Sequence, residues 1–231
     1  MKKKFTADAW RMRWAKNDIA WHNQHPHRQL VQYWDKFYTG NPSEKLIFVP
    51  LCGKSIDLRW LYCEKGFSVV GCDLSETALL AFVTEHPDLA MQRTEVLFKN
   101  GERISMFHTP DKRLRLYLCD LFIMDQSQEG PFKYIWDRGS LVAVDQSLQK
   151  RYVDFVSTLI TPDARWLLET LNYPEGIHDG PPCRIPDEEC TTLFGHGYSF
   201  ELLHAEYARR LFPNATYCYI HIILLTRIPS R

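Results

Sequence analysis

The sequence predicts an α/β fold: a mainly parallel, doubly wound sheet with helices on both faces. Three observations lead there. Short apolar runs of the kind buried on both faces recur along the chain. Amphipathic helical segments alternate with them. Several of the runs end on a carboxylate or a glycine, at Gly53, Asp73, Asp120 and Asp137. In an open parallel sheet such strand ends face the ligand crevice.

Taken in order, residues 5–21 carry Trp10, Trp14 and Trp21 at helical spacing, which places three indoles on one face of a continuous helix. Residues 29–38 read as a second short helix, and Asn41-Pro42-Ser43 as a loop. Leu46–Leu51 is the first strand. Residues 55–65 are helical and stop at Gly66. Ser68–Cys72 is the second strand, and a helix opening at Ser75 follows it to about Glu85. Asn100-Gly101 between two apolar stretches marks a hairpin, expected as an insertion over residues 94–114. Leu114–Cys119, Phe132–Trp136 and Arg165–Leu171 are the third to fifth strands, with a helix over 146–160 and a short one over 186–194. Phe200–Tyr207 and Thr216–Thr226 close the chain as an antiparallel pair. This makes seven strands, within one domain spanning residues 1–231.

Composition limits the function. Lys plus Arg and Asp plus Glu both number 28, without the basic excess of a nucleic-acid binder. A small-molecule substrate is expected instead. The seven cysteines are odd in number and form no C-x-x-C pair, so free thiols in a reducing, cytoplasmic setting are expected, with no metal site. The His22-x-x-His25-x-His27 stretch lacks acidic or cysteine partners at metal-ligand spacing. No apolar leader follows Met1-Lys2-Lys3-Lys4, and no apolar run is long enough for a bilayer.

The strand ends carry the chemistry. Asp73 lies twenty positions after Gly53, where a carboxylate can accept from both hydroxyls of a ribose. It can also cap the following helix, and the two roles are compatible. The first loop is Pro50-Leu51-Cys52-Gly53-Lys54-Ser55, not G-x-G-x-x-G. The glycine a phosphate loop needs upstream of Gly53-Lys54-Ser55 is Phe48. A cofactor with ribose and adenine but no pyrophosphate is therefore expected. Asp120 is suited either to an adenine amino group or to a strand-end turn, and Leu121 to an adenine face. Arg138 is suited to an anionic substrate or to an ion pair with Asp137. The three tryptophans are suited to core packing or to a lid over an aromatic ligand, where ring faces would also attract a sulfonium cation.

The blocks Trp10-x-x-x-Trp14, Trp21-His22, Ile47-Phe48-Val49-Pro50-Leu51-Cys52-Gly53-Lys54-Ser55, Val69-Val70-Gly71-Cys72-Asp73-Leu74-Ser75-Glu76, Ile135-Trp136-Asp137-Arg138-Gly139-Ser140-Leu141-Val142-Ala143 and Gly180-Pro181-Pro182 resemble the thiopurine S-methyltransferase family over nearly the whole chain. The resemblance implies a Rossmann-like, seven-stranded, mostly parallel methyltransferase sheet with a lid-forming N-terminal segment over residues 1–40. It implies S-adenosylmethionine as cofactor and a small aromatic or heterocyclic thiol as acceptor. Relatives acting on halide, thiocyanate or selenium and tellurium anions are the alternative. Carried over by position, Trp10, Trp14, Trp21, Leu51, Asp73, Asp120, Leu121 and Arg138 contact the cofactor. Trp21, Pro182 and Arg209 line the acceptor side, with Arg138 and Arg209 as catalytic candidates in a monomeric enzyme. The chain departs from the family in having Asp73 where Glu is common, and Trp21 where Phe is common in animal enzymes.

Overall fold

The computed structural model describes residues 6–126 and 128–229. Strands β1 (Leu46–Val49), β2 (Ser68–Asp73), β3 (Gln92–Leu97), β4 (Arg103–His108), β5 (Leu114–Leu118), β6 (Phe132–Asp137), β7 (Ile160–Asn172), β8 (Tyr198–Tyr207) and β9 (Tyr219–Arg227) form one sheet. Its order is β3-β4-β5-β2-β1-β6-β7-β9-β8. The five central strands, β5 to β7 in that order, pair in parallel. The flanking pairs are all antiparallel.

The expected seven-stranded, mostly parallel sheet is thus corrected to a mixed sheet of nine. The seven expected strands are present, and the hairpin β3–β4 joins them instead of standing apart. The reason is the outer edge of β5, whose backbone groups need partners. β4 supplies them, from Ser105 opposite Leu118 to His108 opposite Arg115. Its alternating side chains then enter both cores: Ile104 and Met106 on one face, Phe107 on the other.

Helices cover both faces. α2 (Arg28–Gln32), α3 (Trp34–Phe37), α4 (Ile56–Cys63) and α5 (Glu76–Glu85) pack Leu30, Trp34, Phe37, Leu58, Leu61, Leu79 and Phe82 against Ile47, Val69, Tyr134 and Leu167. α6 (Gln146–Ser157) and α7 (Asp187–Phe194) pack Tyr152, Val153, Val156 and Phe194 against Phe48, Val70, Ile135 and Trp166. Local chemistry sets their starts. Ser55, Ser75 and Asp145 each accept a backbone amide at the head of α4, α5 and α6. The expected helix over 29–38 is split at Tyr33 into α2 and α3.

The N-terminal helix α1 (Ala7–Ala15) is shorter than the expected run to residue 21. Asn17 adopts φ 54°, a left-handed conformation that Asn tolerates better than most residues, and this ends the helix. One buried carboxylate ties the returning chain to the sheet. Asp57 accepts the His27 amide at 2.7 Å and the Trp136 indole N–H at 2.8 Å. No described helix is long and apolar enough to cross a membrane.

Candidate active site

The carboxyl ends of β1, β2 and β6 open into a cavity of about 340 Å³. β1 leads into Pro50-Leu51-Cys52-Gly53, a turn with φ 44° at Leu51 and 52° at Gly53. A left-handed leucine is strained, and its neighbours hold it: the Cys52 amide donates to the Cys72 carbonyl at 2.9 Å. The turn aims the Gly53 amide at Asp73, which accepts it at 2.9 Å on Oδ2 and the Ser75 amide at 2.8 Å on Oδ1. A carboxylate has about four acceptor positions. The Gly53 and Ser75 amides fill two, the Leu74 amide also favours the charge, and the remaining capacity suits a hydroxyl donor. Burial pushes the Asp73 carboxyl up to about 6, against the pull of its backbone donors.

Trp10, Trp14 and Trp21 all line the cavity, but not as one helical stripe. After Asn17 the chain reverses and carries Trp21 back onto α1. Its ring meets Trp10 at 5.4 Å and Trp14 at 5.9 Å, both edge to face. The Arg13 guanidinium covers the Trp21 ring at 4.3 Å and pairs with Asp18 at 2.9 Å across the reversal. Trp14 lies so close to the β1 turn that a Cβ on Gly53 would stand 2.8 Å from its Cζ2. Only glycine fits at that point, for the close approach and for the positive φ.

At the end of β6, neighbouring residues face opposite ways. Asp137 points into the core, where it accepts the Tyr152 hydroxyl at 2.7 Å, the Leu141 amide at 3.0 Å and the Trp166 indole at 3.2 Å. Burial pushes its carboxyl up to about 6. Arg138 lines the cavity, and its carboxylate partner is Glu169 of β7, at 3.4 Å, rather than Asp137. Glu169 also meets His27 Nε2 at 3.0 Å. The facing wall is Pro181, Pro182 and Leu211. The Tyr173 hydroxyl holds that wall by donating to the Pro182 carbonyl at 2.7 Å.

The remaining predicted residues fall elsewhere. Asp120 lines an adjoining cleft of about 490 Å³ with Arg11, Leu74, Ser75 and Glu76, and it caps the 3-10 turn Leu121–Ile123 by accepting the Phe122 amide at 3.0 Å. Leu121 is buried in the core on the α6 face. Arg209 is exposed on the 3-10 turn Arg209–Leu211, of which Leu211 is the residue that reaches the cavity. Sequence reasoning missed Asp57, Glu169 and the place of His27. The available signal was an acid inside an apolar strand, at Trp166-Leu167-Leu168-Glu169, since such residues are seldom buried without a partner.

The sequence pattern of the family described as thiopurine S-methyltransferase matches residues 5–215. The chain is 35% identical over 190 residues to thiopurine S-methyltransferase of Bos taurus, covering 82% of this chain and 76% of that one. It is 34% identical to the Rattus norvegicus protein of the same name, covering 82% and 77%. Among solved structures, a Burkholderia thailandensis 1,6-didemethyltoxoflavin-N1-methyltransferase with bound S-adenosylhomocysteine superposes with a TM-score of 0.63 at 15% identity, over 97% of this chain and 87% of that one. The [4+2]-cyclase SpnF superposes with a TM-score of 0.66 at 11% identity, over 100% and 98%. At those identities the structures attest the fold alone. The sequence matches settle the family: this chain belongs to the thiopurine S-methyltransferase family.

Proposed function

We propose that this chain transfers the methyl group of S-adenosylmethionine to the sulfur of an aromatic or heterocyclic thiol, with thiopurines as representative acceptors. One observation carries the proposal. Asp73, a buried carboxylate acceptor, stands on the same cavity as the indoles of Trp10, Trp14, Trp21 and Trp136 and the guanidiniums of Arg13 and Arg138. The donor set suits a ligand with a ribose diol and a cationic sulfur. S-adenosylmethionine, when bound, supplies an electrophilic methyl group on a positively charged sulfur.

The chain's own residues do the rest by position. Asp73 accepts from the ribose hydroxyls, while Leu51, Trp10 and Trp14 wall the cofactor side. Asp120 borders the adjoining cleft, where an adenine amino group is its natural donor, and Leu121 backs that side from the core. The segment carrying α1 and Trp21 acts as a lid that keeps water out, and exclusion of water strengthens each electrostatic contact inside. The described part of the 1–40 segment assigned to the lid begins at Thr6. Trp21, Pro182 and Leu211 give the acceptor an apolar slot. Arg138 favours the thiolate there by the attraction of its guanidinium for the anion. Aromatic thiols ionise near neutrality, so no general base is needed. Arg209, on the turn beside Leu211, is the second candidate for the anion.

The test is transfer of labelled methyl from S-adenosylmethionine to thiophenol, a thiopurine, iodide, thiocyanate and selenite in parallel. The two thiols are expected to react at least tenfold faster than the inorganic anions. Transfer only to the inorganic anions would assign the alternative substrate class.

A further inference from the structure

Glu169 is the one acid that β7 contributes beside the cavity, and it lies between two groups from distant parts of the chain. His27 Nε2 stands 3.0 Å from one carboxylate oxygen, and Arg138 Nε 3.4 Å from the other. The three side chains are largely enclosed, with the glutamate 12% and the histidine 10% exposed. Burial works against the Glu169 charge, yet the His27 contact and the Arg138 charge leave its carboxyl below the usual range. Arg138 needs such a partner. Its Nε is buried and makes no well-aligned hydrogen bond, so the ion pair is what orients the guanidinium. His27 is itself fixed, through its amide to Asp57 and through its ring, which lies 5.3 Å from that of Trp136.

We propose that Glu169, braced by His27, is a positioning residue that sets the orientation of Arg138 at the acceptor end of the cavity. This rests on Arg138 being the group that favours the thiolate. Glu169 does not line the cavity and acts through Arg138 alone.

The experiment is a double-mutant cycle with Glu169→Gln and Arg138→Ala, read as kcat and KM for methyl transfer to thiophenol. Cofactor affinity and melting temperature are measured on each variant. Glu169→Gln is expected to lower kcat at least tenfold, to leave the cofactor KM within twofold, and to add no further loss in the Arg138→Ala background. A structural role alone would not produce that non-additivity. Wild-type kcat in Glu169→Gln beside a slow Arg138→Ala, or losses that multiply, would overturn the inference and leave the proposed function standing. Wild-type turnover in Arg138→Ala would instead remove the reading of Arg138 on which it rests. Should Glu169→Gln fail to fold, His27→Asn tests the same brace. A threefold or greater loss of kcat is expected, again absent without Arg138, and an unchanged kcat would count against the proposal.

Discussion

At the scale of single residues, Asp73 carries the clearest pH dependence. Its carboxyl is raised from 3.8 to about 6 by burial. Between those values the folded protein holds a proton that the unfolded chain has released, so this residue's contribution to stability falls as pH rises through that window. Under the proposed ribose role cofactor affinity runs the other way, because hydroxyls donate best to the ionised form. Calorimetry is expected to show binding about tenfold weaker at pH 5 than at pH 7, one pH unit below the midpoint being tenfold in ionised fraction. Asp73→Asn should flatten that difference and Asp73→Ala should weaken binding at least tenfold. A wild-type profile without pH dependence would rule out the ribose role. The place of Asp73 on the cavity was legible because it ends a strand, and it accepts the amide of Ser75, the residue that caps α5. Glu169 was not, because its partners lie at residues 27 and 138, and no periodicity connects those positions.

Among the elements, the β1 turn and α1 depend on each other. A methyl at Gly53 would overlap Trp14 and force an L-residue to keep φ near 52°. Gly53→Ala is expected to cost about 1–2 kcal/mol from the left-handed backbone, before any loss from moving the indole. Intrinsic fluorescence should shift as Trp14 is displaced, and cofactor affinity should fall. Unchanged affinity and melting would show that α1 is free to move off the turn. The sequence showed the tryptophan spacing but gave the wrong cause for their meeting. A helix to residue 21 would have lined them up, whereas a reversal at Asn17 folds Trp21 back onto α1. The local hint was Lys16-Asn17-Asp18, a polar break at a position where asparagine accepts positive φ.

For the whole molecule, the parallel centre was readable because fully buried strands appear as uninterrupted apolar runs. The mixed character was not, because the hairpin signal at Asn100-Gly101 says that two strands pair with each other, not which free edge they join. Their membership of the sheet has a measurable cost. Phe98, 2% exposed beside Tyr117, belongs to the core on the α6 face. Phe98→Ala is expected to lose about 3–5 kcal/mol by denaturant unfolding. A loss under 1 kcal/mol would mark the hairpin as an appendage after all. The pairing of Glu169 with His27 and Arg138 also has a meaning for biosynthesis. A nascent chain that has emerged only as far as Ser157 already carries the indoles, Asp73 and Arg138. It cannot seat the arginine, since the strand bearing the arginine's counter-ion has yet to leave the ribosome. On the proposed function, competence for transfer thus arrives late in translation, after β7 and with the wall of Pro182 and Leu211, although the indoles and Asp73 are encoded far upstream.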